Sequence, residues 1–120
     1  MSRSFPRLAA LALLVGATAG FGVFHNKLVK STPAKDAVVA APKEIRLWFA
    51  EKAEPGLSSI TVVGTDSSKV ATGKVKATDD PLSIAVDVTG PMKPGGYLVR
   101  WRTSGTDGHV IRGSYPFTVK

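Results

Sequence analysis

Residues 94–102 read Pro94-Gly95-Gly96-Tyr97-Leu98-Val99-Arg100-Trp101-Arg102, a turn sequence that runs into alternating side chains. Tyr97, Val99 and Trp101 fall on one set of alternate positions, and Leu98, Arg100 and Arg102 fall on the other. Successive side chains of a β-strand point to opposite faces, so a period of two predicts a strand with one buried and one wetter face. This stretch therefore indicates β-structure rather than a helix.

The same period recurs along much of the chain. Apolar residues occupy alternate positions of segments 45–49, 82–88 and 115–119, and segments 59–63 and 74–77 read as shorter strands. Turn sequences rich in Pro, Gly and Asp separate them at 32–36, 54–56, 64–66 and 93–96. About seven short antiparallel strands with frequent turns, and no helical stripe, predict an all-β sandwich or a Greek-key barrel.

The first 24 residues differ from the rest. Arg3 and Arg7 precede an apolar stretch of Leu, Ala and Gly, and no carboxylate occurs before Asp36. This layout predicts a secretory signal peptide over 1–24 and one exported domain over 25–120. The cleavage site within this signal stays open, because the best small-residue motif, at positions 17–19, would place it after residue 19. The alternative is an uncleaved membrane anchor, for which the apolar run is slightly short.

Composition excludes several classes of function. The chain has no cysteine, which excludes zinc-finger, iron–sulfur and thiolate-copper sites. Its formal net charge is +7, but the lysines are scattered and form no basic run of the nucleic-acid-binding type. We therefore expect no nucleic-acid partner. Membrane contact is expected only through the signal segment, if it stays attached.

The two histidines lie near opposite ends of the predicted domain. His25 opens it, and His109 follows Asp107 at a spacing of two. In an extended segment, side chains at i and i+2 leave on the same face and can reach one ion. Imidazole with carboxylate, and no thiolate, suits Cu(II), and zinc or nickel less specifically. The ordinary alternatives are a loop hydrogen bond for His109, a turn at Asp107-Gly108, and an exposed linker residue at His25.

Four segments resemble the CopC family of exported copper-resistance proteins. The opening HNKLVKSTPA at 25–34 is similar to that family's start, and LWFAE at 47–51 is similar to its second-strand motif. PGGYLVRWR at 94–102 resembles its Pro-Gly-x-Tyr-x-Val-x-Trp strand. TDGH at 106–109, followed by Gly113 and FTV at 117–119, resembles its closing Asp-x-His motif and final strand. The matches keep their order over the whole predicted domain.

The resemblance implies an antiparallel Greek-key, immunoglobulin-like β-sandwich that binds copper in the periplasm. It implies that the Cu(II) ligands are His25, Asp107 and His109, with Glu51 as a further ligand or an outer-sphere partner. If His25 is the first mature residue, its α-amine adds a nitrogen. Some family members bind copper(I) through methionine-rich loops, but this chain has only Met1 and Met92.

The function that the resemblance implies is copper(II) buffering, delivery or resistance in the periplasm, without catalysis. The expected partners are the copper ion and an inner-membrane copper transport protein. One alternative is a copper monooxygenase with a histidine brace, which needs a free His25 and an exposed aromatic platform. Another is a metal-free immunoglobulin-like interaction domain. If the leader is retained, the domain is expected to be membrane-anchored and to face the periplasm.

Overall fold

The computed structural model describes residues 26–105 and 108–120, and the predicted signal peptide lies outside them. These residues form nine strands and one 3₁₀ turn, Pro55–Leu57. The strands are β1 (Leu28–Thr32), β2 (Val38–Val39), β3 (Glu44–Phe49), β4 (Ser59–Gly64), β5 (Lys69–Val70), β6 (Lys76–Ala77), β7 (Ser83–Asp87), β8 (Gly95–Ser104) and β9 (Val110–Val119). Within these residues no helix is long and apolar enough to span a bilayer.

The strands form two sheets. One sheet has the order β1-β3-β7-β6, and the other has the order β2-β9-β8-β4-β5. Every pairing is antiparallel except that of β2 with β9, which is parallel. The predicted all-β, immunoglobulin-like Greek-key sandwich is confirmed. Three of the nine strands contain only two residues, which is why the alternation pattern indicated fewer strands.

The core lies between the two sheets. Alternate residues of β3, β8 and β9 are buried in it, as predicted from the sequence. Aromatic contacts fill this core: Phe49 of one sheet meets Trp101 of the other edge-to-face at 5.2 Å between ring centroids, and Tyr97 stacks on Phe117 of the same sheet at 5.7 Å. Because the chain has no cysteine, burial of this apolar surface is the main favourable term in folding.

Strand β7 departs from the predicted alternation. Leu82, expected on the buried face, is 40% exposed because it belongs to the turn before the strand, where its N–H donates to Asp80 Oδ1. Ser83 and Ala85, expected on the wetter face, are buried. The Arg46 side chain lies across this face and donates from Nε to Ser83 Oγ at 3.3 Å. The outward-facing residues Ser83 and Ala85 of this central strand are therefore buried as well as the residues that face the core.

Candidate metal centre

The β8–β9 hairpin carries one side of the predicted centre. Its ladder runs from Gly95 opposite Val119 to Ser104 opposite Val110, so the turn of residues 105–109 lies at its far end. The N–H of Gly105 donates to the carbonyl of His109 at 3.1 Å, which closes the turn. His109 is therefore held at the base of the turn by the backbone, and its side chain is exposed.

Gly108 gives the turn its shape. Its φ is +86°, a left-handed conformation that side chains with a Cβ rarely adopt, and its N–H donates to the carbonyl of Gly105 at 3.0 Å. The segment that leads into His109 is therefore a bend rather than an extended strand. The expectation that the side chains of Asp107 and His109 reach one ion stays a prediction. Asp107 itself lies outside the described residues.

The start of the domain forms the other side. Asn26 is fully buried, and its Oδ1 accepts a hydrogen bond from the N–H of Glu51 at 2.7 Å. The carbonyl of Lys27 accepts one from the N–H of Ala50 at 3.0 Å. These bonds tie the first described residues to the end of β3. They also bring Glu51, whose side chain is exposed, beside the residue that follows His25.

A hollow of about 350 Å³ joins these two parts of the chain. Asn26 and Leu28 line it from the amino-terminal side, and Ile111 and Arg112 line it from the start of β9, two to three residues beyond His109. The Asn26 Nδ2 atom is buried and has no hydrogen-bond partner in the part of the chain that the structure describes. The two ends of the domain sequence therefore meet at one place, with an unused amide donor beside it.

Trp101 forms the apolar wall of this hollow. It lies directly opposite Gly113 in the β8–β9 register, and its indole crosses over that glycine. A Cβ at Gly113 would lie 2.3 Å from Trp101 Cζ2 and 2.6 Å from Cε2, far inside van der Waals contact. Gly113 is thus required by the indole rather than by a turn.

Of the four predicted metal-site residues, the structure describes Glu51 and His109, and both have exposed side chains. His25 and Asp107 lie outside the described residues, so the assembled ligand set stays a prediction. Within 26–105 and 108–120 no three His, Cys, Asp or Glu residues cluster closely enough to hold a metal ion. Sequence analysis missed the role of Asn26, because its partner lies 25 residues away and no spacing pattern marks the pair.

Met92 lies at the opposite end of the molecule. It precedes β8 and packs, half-buried, against the core. The β8 strand from Gly95 to Ser104 separates it from the hairpin turn by about 30 Å at ~3.4 Å per residue. The Met92 thioether is therefore unavailable to an ion at the candidate centre.

The described aromatic side chains are buried or half-buried and pack against other residues. Five of them are buried in the core: Phe49, Tyr97, Trp101, Tyr115 and Phe117. Trp48 is half-buried on the outer face of its sheet, where Lys30 Nζ lies 4.2 Å from its ring centroid and Arg46 Cζ lies 5.0 Å from it. This arrangement gives the described surface beside His109 no aromatic platform of the kind that the monooxygenase alternative needs.

Comparison with known proteins agrees with this architecture. The family model described as CopC domain matches residues 28–120. Copper resistance protein C of Pseudomonas syringae pv. tomato is 37% identical over 123 residues, covering 98% of this chain and 95% of that protein. The crystal structure of PcoC, a methionine-rich copper resistance protein from Escherichia coli, superposes with a TM-score of 0.73 at 37% identity, covering 81% of this chain and all of that one.

A more distant match concerns a larger protein. The copper transport protein CutJ of Bacillus subtilis is 28% identical over 97 residues, which cover 79% of this chain but only 18% of that protein. The family match extends over most of the chain, and the curated relative and the solved structure each exceed 30% identity over nearly the whole described domain. The resemblance inferred from four short motifs is confirmed, and the chain belongs to the CopC family.

Proposed function

We propose that this protein binds one Cu(II) ion at the end of the sandwich that carries the β8–β9 turn, and that it buffers or delivers copper. The proposed ligands are His25, Asp107 and His109, and Glu51 is a further ligand or an outer-sphere partner. Relatives named copper resistance protein C support the copper assignment. The protein acts as a carrier and not as an enzyme.

One observation carries the proposal: Asn26 and the start of β9 line the same hollow. Consecutive Cα atoms are about 3.8 Å apart, so chain connectivity keeps His25 close to Asn26. His109 lies two residues before Ile111, which lines the other side of that hollow. Residues that follow each histidine, Asn26 and Ile111, therefore line one hollow, which supports a site formed by two histidines that are 84 positions apart in sequence.

The donor atoms at this end suit the chemistry of Cu(II). Imidazole nitrogens and carboxylate oxygens favour copper(II), and soft sulfur ligands favour copper(I). The Met92 thioether is remote from the turn, which supports selectivity for the oxidised ion. Hydrogen bonding of the Glu51 N–H to Asn26 holds the Glu51 backbone beside the amino-terminal segment, which supports a role for its exposed carboxylate as a ligand or an outer-sphere partner.

The proposed location is the periplasm, with residues 1–24 as the signal peptide and 25–120 as the mature domain. The family match beginning at residue 28 supports this boundary. The proposed partner is an inner-membrane copper transport protein, because a segment similar to this chain forms part of the copper transport protein CutJ. Mass spectrometry of the exported protein will identify its first residue and decide whether His25 supplies an α-amine.

Copper-dependent stabilisation tests the site. A ligand that binds only the folded state stabilises it by about 4 kcal/mol when its free concentration is a thousandfold above Kd. Cu(II) should therefore raise the unfolding midpoint of the wild type, and His109→Ala should abolish most of that rise. Glu51→Gln should reduce it by a smaller amount. The matched control is Glu54→Gln, which neutralises another exposed carboxylate near the end of β3 and should leave the rise intact.

Two outcomes would contradict the proposal. The first is a copper-induced rise that His109→Ala leaves unchanged. The second is a His109→Ala protein that unfolds without copper but, when folded, still binds copper as the wild type does, which would make the histidine structural. The apo midpoint should change little, because the side chain of His109 is exposed.

A further inference from the structure

The outer face of the five-stranded sheet carries a cluster of cations. On β8, Tyr97, Val99 and Trp101 point inward and are buried, so Arg100 and Arg102 point outward and are exposed. On β9, the same alternation places Arg112 on the outer face, also exposed. We name Arg100, Arg102 and Arg112 the arginine row.

The strand register brings these arginines together. Arg102 lies directly opposite Arg112, a position at which Cβ atoms are about 4.5–5.5 Å apart. Arg100 follows on β8 at about 6.8 Å, two residues of ~3.4 Å each. Like charges placed directly opposite each other destabilise a sheet. Among the described residues, no acid forms an ion pair with these arginines that would offset this cost.

The neighbours of the arginine row are hydroxyl residues. Ser59 and Thr61 of β4 lie opposite Arg102 and Arg100, and Ser114 of β9 lies on the other side of Arg100. In the described part of the chain, no ion pair includes an arginine of this row. The face therefore offers guanidinium and hydroxyl donors together, with no carboxylate in the register positions that surround them.

The other sheet provides the contrast within the same molecule. On its outer face Arg46 pairs with Asp79 at 2.5 Å, and Lys76 pairs with Asp87 at 2.8 Å and Glu44 at 3.4 Å. Acids of the chain thus neutralise Arg46 and Lys76, whereas Lys30 on the same face lies over Trp48 and forms no described ion pair. The arginine row differs in that its three guanidinium groups occupy neighbouring register positions with no acid among them.

The arginine row lies between the turn that holds His109 and an apolar strip, and this combination suits a protein partner. Two register positions beyond Arg102 and Arg112, on the same face, lies the pair Ser104 and Val110, followed by the turn that holds His109. On the other side lies an apolar strip of Val63, Leu98 and Pro116, with a hollow of about 400 Å³ that Arg100 also lines. A charged row beside an apolar strip combines orientation with burial of apolar area.

We propose that this face is the docking surface for an acidic protein partner, whose carboxylates pair with the arginine row while an apolar side chain enters the adjoining hollow. Guanidinium groups bind carboxylates in a two-pronged geometry, which lysine cannot match. The register also places Lys69 of β5 on this face, opposite Val63, so a surface of anionic lipid, which typically uses about four to eight cations, is the rival that vesicles test, and the adjoining apolar hollow favours a protein. The assignment of the partner as one that exchanges copper rests on the function proposed above, whereas the binding face does not.

The test uses the full chain without copper and a fluorescent peptide of six alternating Glu and Thr residues. An extended peptide of this pattern spaces its carboxylates at about 6.8 Å, matching Arg100 and Arg102. Fluorescence anisotropy at about 50 mM salt measures binding, because exposed charge interactions weaken as salt rises. We expect at least a tenfold loss of affinity in a variant that neutralises the whole row, Arg100→Gln, Arg102→Gln and Arg112→Gln.

The control neutralises three exposed lysines that form no described ion pair: Lys35→Gln, Lys43→Gln and Lys74→Gln. This variant has the same net charge as the arginine variant, and its affinity for the peptide should fall by less than twofold. Equal losses in the two variants would overturn the proposal, because net charge alone would then explain binding. If the triple arginine variant fails to fold by circular dichroism, Arg102→Gln alone is used, with an expected loss of about threefold and Lys74→Gln as its control.

Binding to vesicles of phosphatidylglycerol tests whether the face instead recognises a membrane. If the arginine row is needed for vesicle binding but not for peptide binding, the face belongs to a membrane and the proposal is overturned. Peptide binding that depends on the row, with vesicle binding equal in the two triple variants, supports it. Because the protein is free of copper throughout, failure here leaves the copper site untouched, and failure of copper binding leaves this result untouched.

Discussion

Substitution of Gly113 by alanine is the sharpest test of how the hollow beside the candidate centre is built. The added Cβ would lie 2.3 Å from Trp101 Cζ2, and ordinary contact begins at 3.4 Å, so the two groups must separate by 1.1 Å. The indole cannot simply rotate away, because it is buried and its ring meets Phe49 edge-to-face at 5.2 Å. The strain must therefore spread into the β8–β9 ladder or the core.

The expected cost follows from this overlap. Overpacking a well-filled core costs about 1–3 kcal/mol. Replacing glycine also restricts the unfolded chain, which offsets roughly 0.4–1 kcal/mol. We expect Gly113→Ala to lower the free energy of unfolding by about 1–2 kcal/mol, since the first effect exceeds the second. For a domain of this size, 1 kcal/mol corresponds to a fall in Tm of roughly 4–8 °C.

Urea unfolding followed by far-ultraviolet circular dichroism measures this cost without relying on tryptophan fluorescence. Gly56→Ala is the matched control, because no atom lies within 4 Å of the Cβ position there, and its effect should be neutral or slightly stabilising. A double-mutant cycle adds a second criterion: in the Trp101→Leu background, Gly113→Ala should cost much less than in the wild type. Equal midpoints for the Gly113→Ala and Gly56→Ala proteins, or an equal cost in both backgrounds, would refute the packing argument.

The remaining predictions concern the metal and the pH dependence of folding. A competition assay should find no copper(I) site as tight as the copper(II) site, because Met92 is remote from the turn; comparable affinities would contradict the ligand set. Copper should be released as pH falls below about 6, because only neutral imidazole binds metal; full retention at pH 4 would argue against histidine ligation. Arg46 holds the pKa of Asp79 below its ordinary value of 3.8, mainly by hydrogen bonding and also by charge attraction. The contribution of this pair is present above that ordinary value and is lost as pH falls through the lowered pKa, so the stability difference between wild type and Arg46→Gln should shrink between about pH 5 and pH 2 in urea titrations. A difference independent of pH would assign the effect to the contact of Arg46 with Trp48.

Much of the sandwich could be predicted because strand faces are a local property. The alternation at Tyr97, Val99 and Trp101 correctly identified the buried face of β8, since neighbouring side chains of a strand point to opposite sides whatever the rest of the chain does. The same reasoning misplaced Leu82 and Ser83. Their burial depends on a turn at Asp80 and on an arginine from another strand, and neither is encoded in the period of two.

In the candidate site too, features that are local in the sequence could be predicted and features that depend on tertiary packing could not. His109 was selected by its chemistry and Glu51 by the family resemblance, which was confirmed over most of the chain, and their role as ligands stays a prediction. Three features could not be foreseen: the bond from Glu51 to Asn26, the contact of Gly113 with Trp101, and the parallel pairing of β2 with β9. Each of these features joins segments that are separated in the sequence. No local pattern of residues therefore marks either partner.

The length of the β8–β9 hairpin has a practical consequence. Each strand contains ten residues, so the turn at one end lies about 30 Å from Val119 at the other, at ~3.4 Å per residue. A linker added after Lys120 would therefore attach the protein to a bead, an electrode or a sensor surface by the end remote from His109. Immobilised in this way, the chain would present its proposed copper-loading end to the solution, with the sandwich itself as a rigid spacer.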